Sequence, residues 1–400
     1  MRIPCELTAV ETAVGFPLGG KARELQRLGH AHPEPLEALS RAIEKTIADG
    51  PPAVAFSGGR DSSLLLALAA RACRRAGVEP PVPVTLCMPN ELSESDEHEW
   101  QERVLDHLQI DHWHRVPITG ELDFVGPYAR RHLLRDGLLF PANAHAVVPM
   151  LEAAGERCLV SGLGGDELLS PHQWWSMHDL VGRRRGLQRR DFVRFSAALI
   201  PRRVRGLARR CNAADLNELH WLRPAARSRV GGLLRVGFEE PVRWESAVRH
   251  VGARRDTVLP LRSMQRLASA SGQRVCAPFL DPGFIAAFAR AGGWAGWRTR
   301  TAAMDMLARD LLPTEVRARK SKASFNRIFF GEETRAFAAA WSGRGLDETL
   351  VDPEALRSEW LSDVPDHRTS LLLQSAWLAD RDNAERAAER GLDLVAAACS

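Results

Sequence analysis

The sequence predicts an α/β fold, a doubly wound parallel sheet with a large helical C-terminal elaboration. Three observations predict it. Short apolar runs alternate with helix-length segments between residues 53 and 170. A glycine turn joins the first of these runs directly to a helical pattern. From residue 256 onward the pattern is helical, broken by Pro and Gly, with no internal repeat. At 400 residues and 45% apolar content the chain can bury a large core and is long enough for two domains.

Residues 1–50 read as a short lead-in. It is helical over Glu34–Ala48 (EPLEALSRAIEKTIA), where apolar residues recur at the 3.6-residue period. Residues 51–180 read as the α/β core. AVAF, from Ala53, is the first strand, and SSLLLALAARACRRA is a helix stopped by Gly77. PVTLCM (Pro83–Met88) is the second strand. Ser95–Ile110 is a helix whose acidic first turn suits the positive end of its dipole. HWHRVPI is a third strand and RCLVSG (Arg157–Gly162) a fourth. Residues 181–255 form an arginine-rich helical insertion, and 256–400 complete the chain with further helices.

Composition narrows the function. No apolar run approaches the roughly 18 residues of a membrane span, and Met1–Ala13 has no charged-then-apolar leader. The seven cysteines are scattered without a C-x-x-C pair. That argues against a zinc ribbon, an iron–sulfur cluster or a disulfide framework and fits a reducing cytoplasm. The net charge of +4 is not that of a polycation, yet Arg183–Arg210 carries eleven arginines and one acid, Asp191. That block is either a solvated helical face or a surface for an anionic partner such as an acidic peptide. Few aromatics interleave with it, which disfavours nucleic-acid binding by base stacking. The chain writes fifty arginines against four lysines, so the pair Lys320 and Lys322 in RARKSKASF stands out.

The chemistry starts at Ser57-Gly58-Gly59-Arg60-Asp61-Ser62. Glycines after a strand let successive N–H groups aim at one point, and the helix that follows adds its N-terminal dipole, so the turn suits phosphate. The G-x-x-x-x-G-K-[ST] loop is absent and so is G-x-G-x-x-G. Asp61 would repel phosphate unless a metal lies between them, and therefore reads as a Mg²⁺ ligand.

These six residues resemble the S-G-G-x-D-S pyrophosphate loop of the N-type ATP pyrophosphatases, the PP-loop enzymes of adenine nucleotide alpha hydrolase-like fold. Three further stretches are similar to the asparagine synthetase-like branch. They are Ser161-Gly162-Leu163-Gly164-Gly165-Asp166-Glu167, Pro278-Phe279-Leu280-Asp281-Pro282, and Leu312-Pro313-x-x-Val316 with Lys322-x-x-Phe325. The resemblance implies ATP and Mg²⁺ as cofactors and AMP-forming amide synthesis as the activity. It implies that Asp61 and Asp166 hold Mg²⁺, and that Ser57, Gly58, Gly59 and Ser62 cradle pyrophosphate. Ser161 and Gly162 would line the nucleotide and Leu86 would meet adenine. Lys322, with Lys320 as the alternative, would stabilise charge at the α-phosphate and the tetrahedral centre. A lysine kept in a chain that otherwise writes arginine agrees with a need for a compact point charge.

The departures steer the substrate. The expectation from the N-terminal sequence is that no glutaminase domain is present: Arg2 stands where the nucleophilic cysteine would be, and Cys5 is not terminal. Leu163 occupies the place of a Glu in asparagine synthetases and of a base-dyad Tyr in β-lactam synthetase, and leucine takes no proton. What remains resembles the macrolactam synthetases of lasso peptides, whose G-x-G-G-D-E loop looks like Gly162–Glu167; Trp221-Leu222-Arg223-Pro224 is also similar to a segment of theirs. The expected substrate is then a peptide or small molecule carrying both carboxylate and amine, with a precursor peptide or a processing enzyme as possible partner. Alternatives are a ligase fed ammonia or an amine by another chain, a PP-loop tRNA-modifying enzyme, and a non-catalytic ATP-binding subunit. Smaller groupings read as structural. His112 and His114 share a strand face without a third ligand, Trp174-Trp175 read as core or cleft wall, and Asn143 and His145 have acyl-substrate contact as their second reading.

Overall fold

The computed structural model describes residues 7–18, 34–88, 96–170, 218–234, 241–297, 299–319 and 326–381. Lys320, Lys322, the 183–210 arginine block and Trp174-Trp175 lie outside the described residues.

In chain order the elements are α1 (Ala9–Val14), α2 (Pro35–Ile47), β1 (Ala53–Ala55), α3 (Arg60–Ala76), β2 (Val82–Cys87), α4 (Asp96–Leu108), β3 (His114–Pro117), α5 (Pro127–Asp136), α6 (Val148–Ala154), β4 (Leu159–Val160) and α7 (Gly165–Leu169). There follow α8 (Pro224–Leu234), α9 (Trp244–Ala253), α10 (Arg255–Ser269), β5 (Val275–Cys276), α11 (Pro282–Ala291), α12 (Arg300–Ala308), α13 (Thr314–Ala318), α14 (Glu332–Ala340), α15 (Pro353–Trp360) and a last helix, α16, at 370–381. The five strands form one all-parallel sheet in the order β3-β2-β1-β4-β5. The α/β doubly wound expectation holds, with one addition. The sequence does not reveal β5, because two residues are too short to show a period and its pairing with β4 is set by tertiary contacts.

The central strands β1 and β4 are covered on both faces, as in parallel sheets generally, whereas the edge strand β3 is largely exposed. Side chains alternate along each strand. Val54 and Val160 enter one core with α2, α3, α4, α11 and α12, whereas Ala53 and Leu159 enter another with α6 and α10. α3 is apolar nearly all round. Leu64, Leu65, Leu66 and Leu68 are each at most 1% exposed, which marks a central helix. Truncating any of them to Ala costs about 2–5 kcal/mol. Gly77, in the left-handed region at φ 67°, caps the helix where the sequence predicts its end.

A second, mostly helical core meets the sheet at its β2–β3 side, where Leu86 and Val116 pack against it. α1, α8, α14, α15 and α16 close around Trp221, Trp341 and Trp360 together with Phe124, Phe329 and Phe330. Among the described residues no helix is long and apolar enough to cross a membrane.

The strand order reverses beside β1: the chain runs outward through β2 and β3, then returns to β4 on the other side. Open α/β sheets bind ligands in the crevice at the carboxyl ends of such a pair.

Candidate active site at the carboxyl ends of β1 and β4

Both glycine loops singled out in the sequence leave the sheet at this crevice. After β1, Gly58 takes φ 73°, and a Cβ there would lie 2.8 Å from Gln101 Cγ, so only glycine fits. Gly59 is the N-cap of α3 and offers no side chain to cap it. The first intrahelical bond is Ser63 N–H to Gly59 C=O at 3.0 Å, which leaves the N–H groups of Arg60, Asp61 and Ser62 at an open, positively polarised helix end. Serines brace the turn. Ser62 Oγ donates to Gly59 O at 3.0 Å and accepts from Ser57 N at 3.3 Å, and Gly59 N–H reaches Ser57 Oγ at 3.4 Å.

After β4, Ser161 N–H is held by Cys276 O at 2.8 Å, and Ser161 Oγ accepts from Leu163 N at 3.3 Å. Gly164 takes φ 93° and packs so closely that a Cβ would sit 2.5 Å from Leu280 Cδ2. Here Pro278-Phe279-Leu280-Asp281-Pro282 acquires its meaning. Pro278–Leu280 form a single 3-10 turn under the second loop, and Asp281 caps α11 by accepting from Gly283 N at 2.8 Å. Lys45 ends the motif's surface side with a 3.0 Å bond to Asp281.

The two loops touch at Asp61. A Cβ on Gly165 would lie 2.7 Å from Asp61 Oδ2, and one on Gly162 3.9 Å from Asp61 Cβ. A Cβ at 162 would make only an ordinary contact, whereas glycine at 165 lets Asp61 and Asp166 converge. Arg300, the first residue of α12, bridges them, pairing Nη2 with Asp61 Oδ2 and Nη1 with Asp166 Oδ1. A cation at a helix N-terminus is unfavourable by about 0.3–1 kcal/mol, so the two carboxylates offset its placement. Burial pushes the Asp61 carboxyl above the usual carboxylate range, against the opposing pull of Arg300. Burial also works against the charge of Arg300, but Asp61 and Asp166 raise its pKa overall. Asp61 Oδ1 is buried and has no hydrogen-bond partner among the described residues. An orphaned carboxylate oxygen beside a position already chosen by one cation suits a divalent metal, so the donor set fits Mg²⁺. Among the described residues no three His, Cys, Asp or Glu side chains gather as a metal site.

Sequence reasoning missed two arginines here. Arg300 sits in RTRT and looks like any surface arginine. Arg319 is 6% exposed, donates from Nη1 to Gly58 O at 3.0 Å and lies over the Trp100 ring at 5.3 Å. Arg60 also ties the turn to α12, through a 3.2 Å bond to Thr301 Oγ1.

The other candidates fall out as follows. Leu86 is the last residue but one of β2, half-buried, paired in register with Val116 and packed against the helical core. His145 is fully buried, with Nδ1 3.2 Å from Ala142 O and Nε2 2.9 Å from Leu122 O; its second reading, contact with an acyl substrate, is overturned. His112 and His114 are exposed on either side of Trp113, whose indole donates to Thr85 Oγ1 at 2.8 Å. Trp221-Leu222-Arg223-Pro224 belongs to the second core: Trp221 donates to Ala13 O at 2.9 Å, Leu222 bridges Val351, and Pro224 starts α8.

A search of curated proteins finds no match to the chain. The asparagine synthase family model matches residues 35–379. That span begins with α2, takes in both glycine loops, the P-F-L-D-P turn and the arginine bridge, and ends within α16. The chain therefore belongs to the asparagine synthase family, whose members are ATP-dependent, AMP-forming amide-bond ligases.

Proposed function

We propose that this ligase activates a substrate carboxylate as an acyl-adenylate and joins it to an amine carried by the same peptide or small natural product, with macrolactam formation of the lasso-peptide type as the favoured case. The observation that carries the reading is an open helix N-terminus set beside two carboxylates that converge on one cation. Ser57, Gly58, Gly59 and Ser62 cradle the departing pyrophosphate, while Ser161 and Gly162 line the nucleotide and Leu86 meets the adenine. Asp61 and Asp166 hold Mg²⁺. When bound, the metal neutralises charge on the leaving pyrophosphate. Lys322, or Lys320 in its place, steadies the charge at the α-phosphate and at the tetrahedral centre.

The chemistry runs in two displacements. A carboxylate oxygen attacks the α-phosphorus and pyrophosphate leaves. The amine nitrogen then attacks the acyl carbon, AMP leaves, and the nitrogen gives up one proton. Leu163 supports an amine from the substrate itself. Its half-buried side chain packs against the α3 core and accepts no proton. An amine that arrives neutral and already placed needs less help, because proximity supplies much of the rate. The Arg183–Arg210 block is the proposed holder of an acidic peptide, with a precursor peptide or a processing enzyme as partner.

The test incubates the protein with ATP, Mg²⁺ and linear peptides that carry an Asp or Glu and a free N-terminus. AMP, pyrophosphate and a product lighter by one water are expected. ADP would overturn the adenylation, and turnover that depends on added ammonia would overturn the intramolecular amine. Lys322→Ala should keep ATP binding and lose turnover; an unchanged rate moves that role to Lys320.

A further inference from the structure

We infer that Arg319 is a positioning residue for the nucleotide site, acting through the Gly58–Gly59 peptide to aim the Gly59 N–H into the pyrophosphate cradle. The inference rests on the nucleotide reading above.

The argument begins with a freedom that must be removed. Gly58 has no Cβ, so the peptide that follows it can turn either way at little cost. In a trans peptide the C=O and N–H point in opposite directions. A donor that pins the Gly58 carbonyl on one side therefore commits the Gly59 N–H to the other. Arg319 is that donor, at 3.0 Å from Nη1. The Gly59 N–H accordingly faces Ser57 Oγ, on the inner side of the turn. At 3.4 Å that contact is long and weak, so an anionic oxygen can replace it.

The guanidinium is itself held. It is buried, it ends α13, and it lies over the ring of Trp100 in α4 at 5.3 Å. A planar guanidinium can stack on a ring and still donate from its edge, which a lysine ammonium cannot do. Three segments far apart in sequence thereby meet at one carbonyl: the turn after β1, the helix after β2 and the end of α13.

The experiment is calorimetric titration of the full chain with inorganic pyrophosphate in the presence of Mg²⁺, and separately with AMP, which does not need the Gly59 N–H. Arg319→Met keeps the stem and removes the donor; it should weaken pyrophosphate binding about tenfold, as loss of a charged hydrogen bond does, and leave AMP binding within about twofold. Arg319→Lys should recover only part of the loss. Equal weakening of both ligands, or of neither, overturns the inference. Should Arg319→Met fail to fold, Trp100→Leu decides: a loss confined to pyrophosphate supports the role, and any other pattern overturns it. A wild-type chain that binds neither ligand refutes the nucleotide reading itself, and is distinct from either result.

Discussion

The cleft and the helical core each hold an aspartate, half-buried in the one and fully buried in the other, and the two are partnered in opposite ways. Asp123, 1% exposed, spends both oxygens inside the helical core: Oδ1 accepts from Val125 N at 3.0 Å and from the Thr334 hydroxyl, and Oδ2 accepts from Thr334 N at 3.0 Å. Asp61 gives one oxygen to Arg300, and its other oxygen has no partner among the described residues. Two donors near Asp123 are likewise paired, although Gln374 Oε1 and the Trp360 indole are buried with no partner among the described residues. Trp221 donates to Ala13 O, and the Gln374 amide reaches Phe124 O at 3.0 Å and Ala142 O at 2.9 Å. What sets Asp61 apart is the incomplete carboxylate together with a second acid, Asp166, converging on one cation, Arg300, at an open helix end.

The comparison is broken most directly by exchanging each carboxylate. Asp61→Asn should lower AMP-forming turnover by about a thousandfold, roughly 4 kcal/mol of transition-state stabilisation, while the melting temperature stays within a few degrees. Asp123→Ala should do the reverse. It leaves the N–H groups of Val125 and Thr334 unpaired in a dry core and should cost about 3 kcal/mol in urea denaturation, with the rate per folded molecule unchanged. If Asp61→Asn unfolds the protein, or Asp123→Ala abolishes turnover in folded protein, the distinction fails.

Which of these features the sequence shows in advance follows from the same contrast. The S-G-G-x-D-S turn is legible because its backbone demands glycine and short polar residues consecutively after a strand. The second loop is legible for the same reason, and the leucines of α3 announce a central helix. Arg300 is not legible. Its meaning depends on where the N-terminus of α12 arrives, and nothing in RTRT distinguishes it from forty-nine other arginines. β5 exists because Leu159 and Val160 pair with Val275 and Cys276, not because two residues carry a pattern. Trp221–Pro224 is visible as a motif, yet its two buried side chains, Trp221 and Leu222, serve the helical core rather than the cleft.

A gentler perturbation sharpens the claim that glycine sets the meeting of the loops. Gly165→Ala would place a methyl 2.7 Å from the Asp61 carboxylate, pushing it away from Asp166. Overpacking of this kind costs about 2 kcal/mol, here expected as a roughly thirtyfold loss of Mg²⁺–ATP affinity by calorimetry. Unaltered affinity would mean that the two acids need not converge.

The smallest effect concerns a histidine beside the helical core. His132 stacks on His145, with ring centroids 5.7 Å apart, and is 2% exposed. Burial, helped by His145, pushes its pKa from the ordinary 6.5 down to about 3. The folded chain therefore keeps this ring neutral, whereas the unfolded chain protonates it as pH falls through the ordinary value. Stability is full above pH 6.5 and is lost progressively between there and about pH 3. At about 1.4 kcal/mol per pH unit, the cost between pH 7 and pH 5 comes to about 2 kcal/mol. His132→Phe removes the titration, so its urea stability should fall less than that of wild type over the same interval, by about that amount. Equal losses in the two proteins would show that His132 takes up its proton in the fold as readily as in the unfolded chain, and that its buried site tolerates the charge.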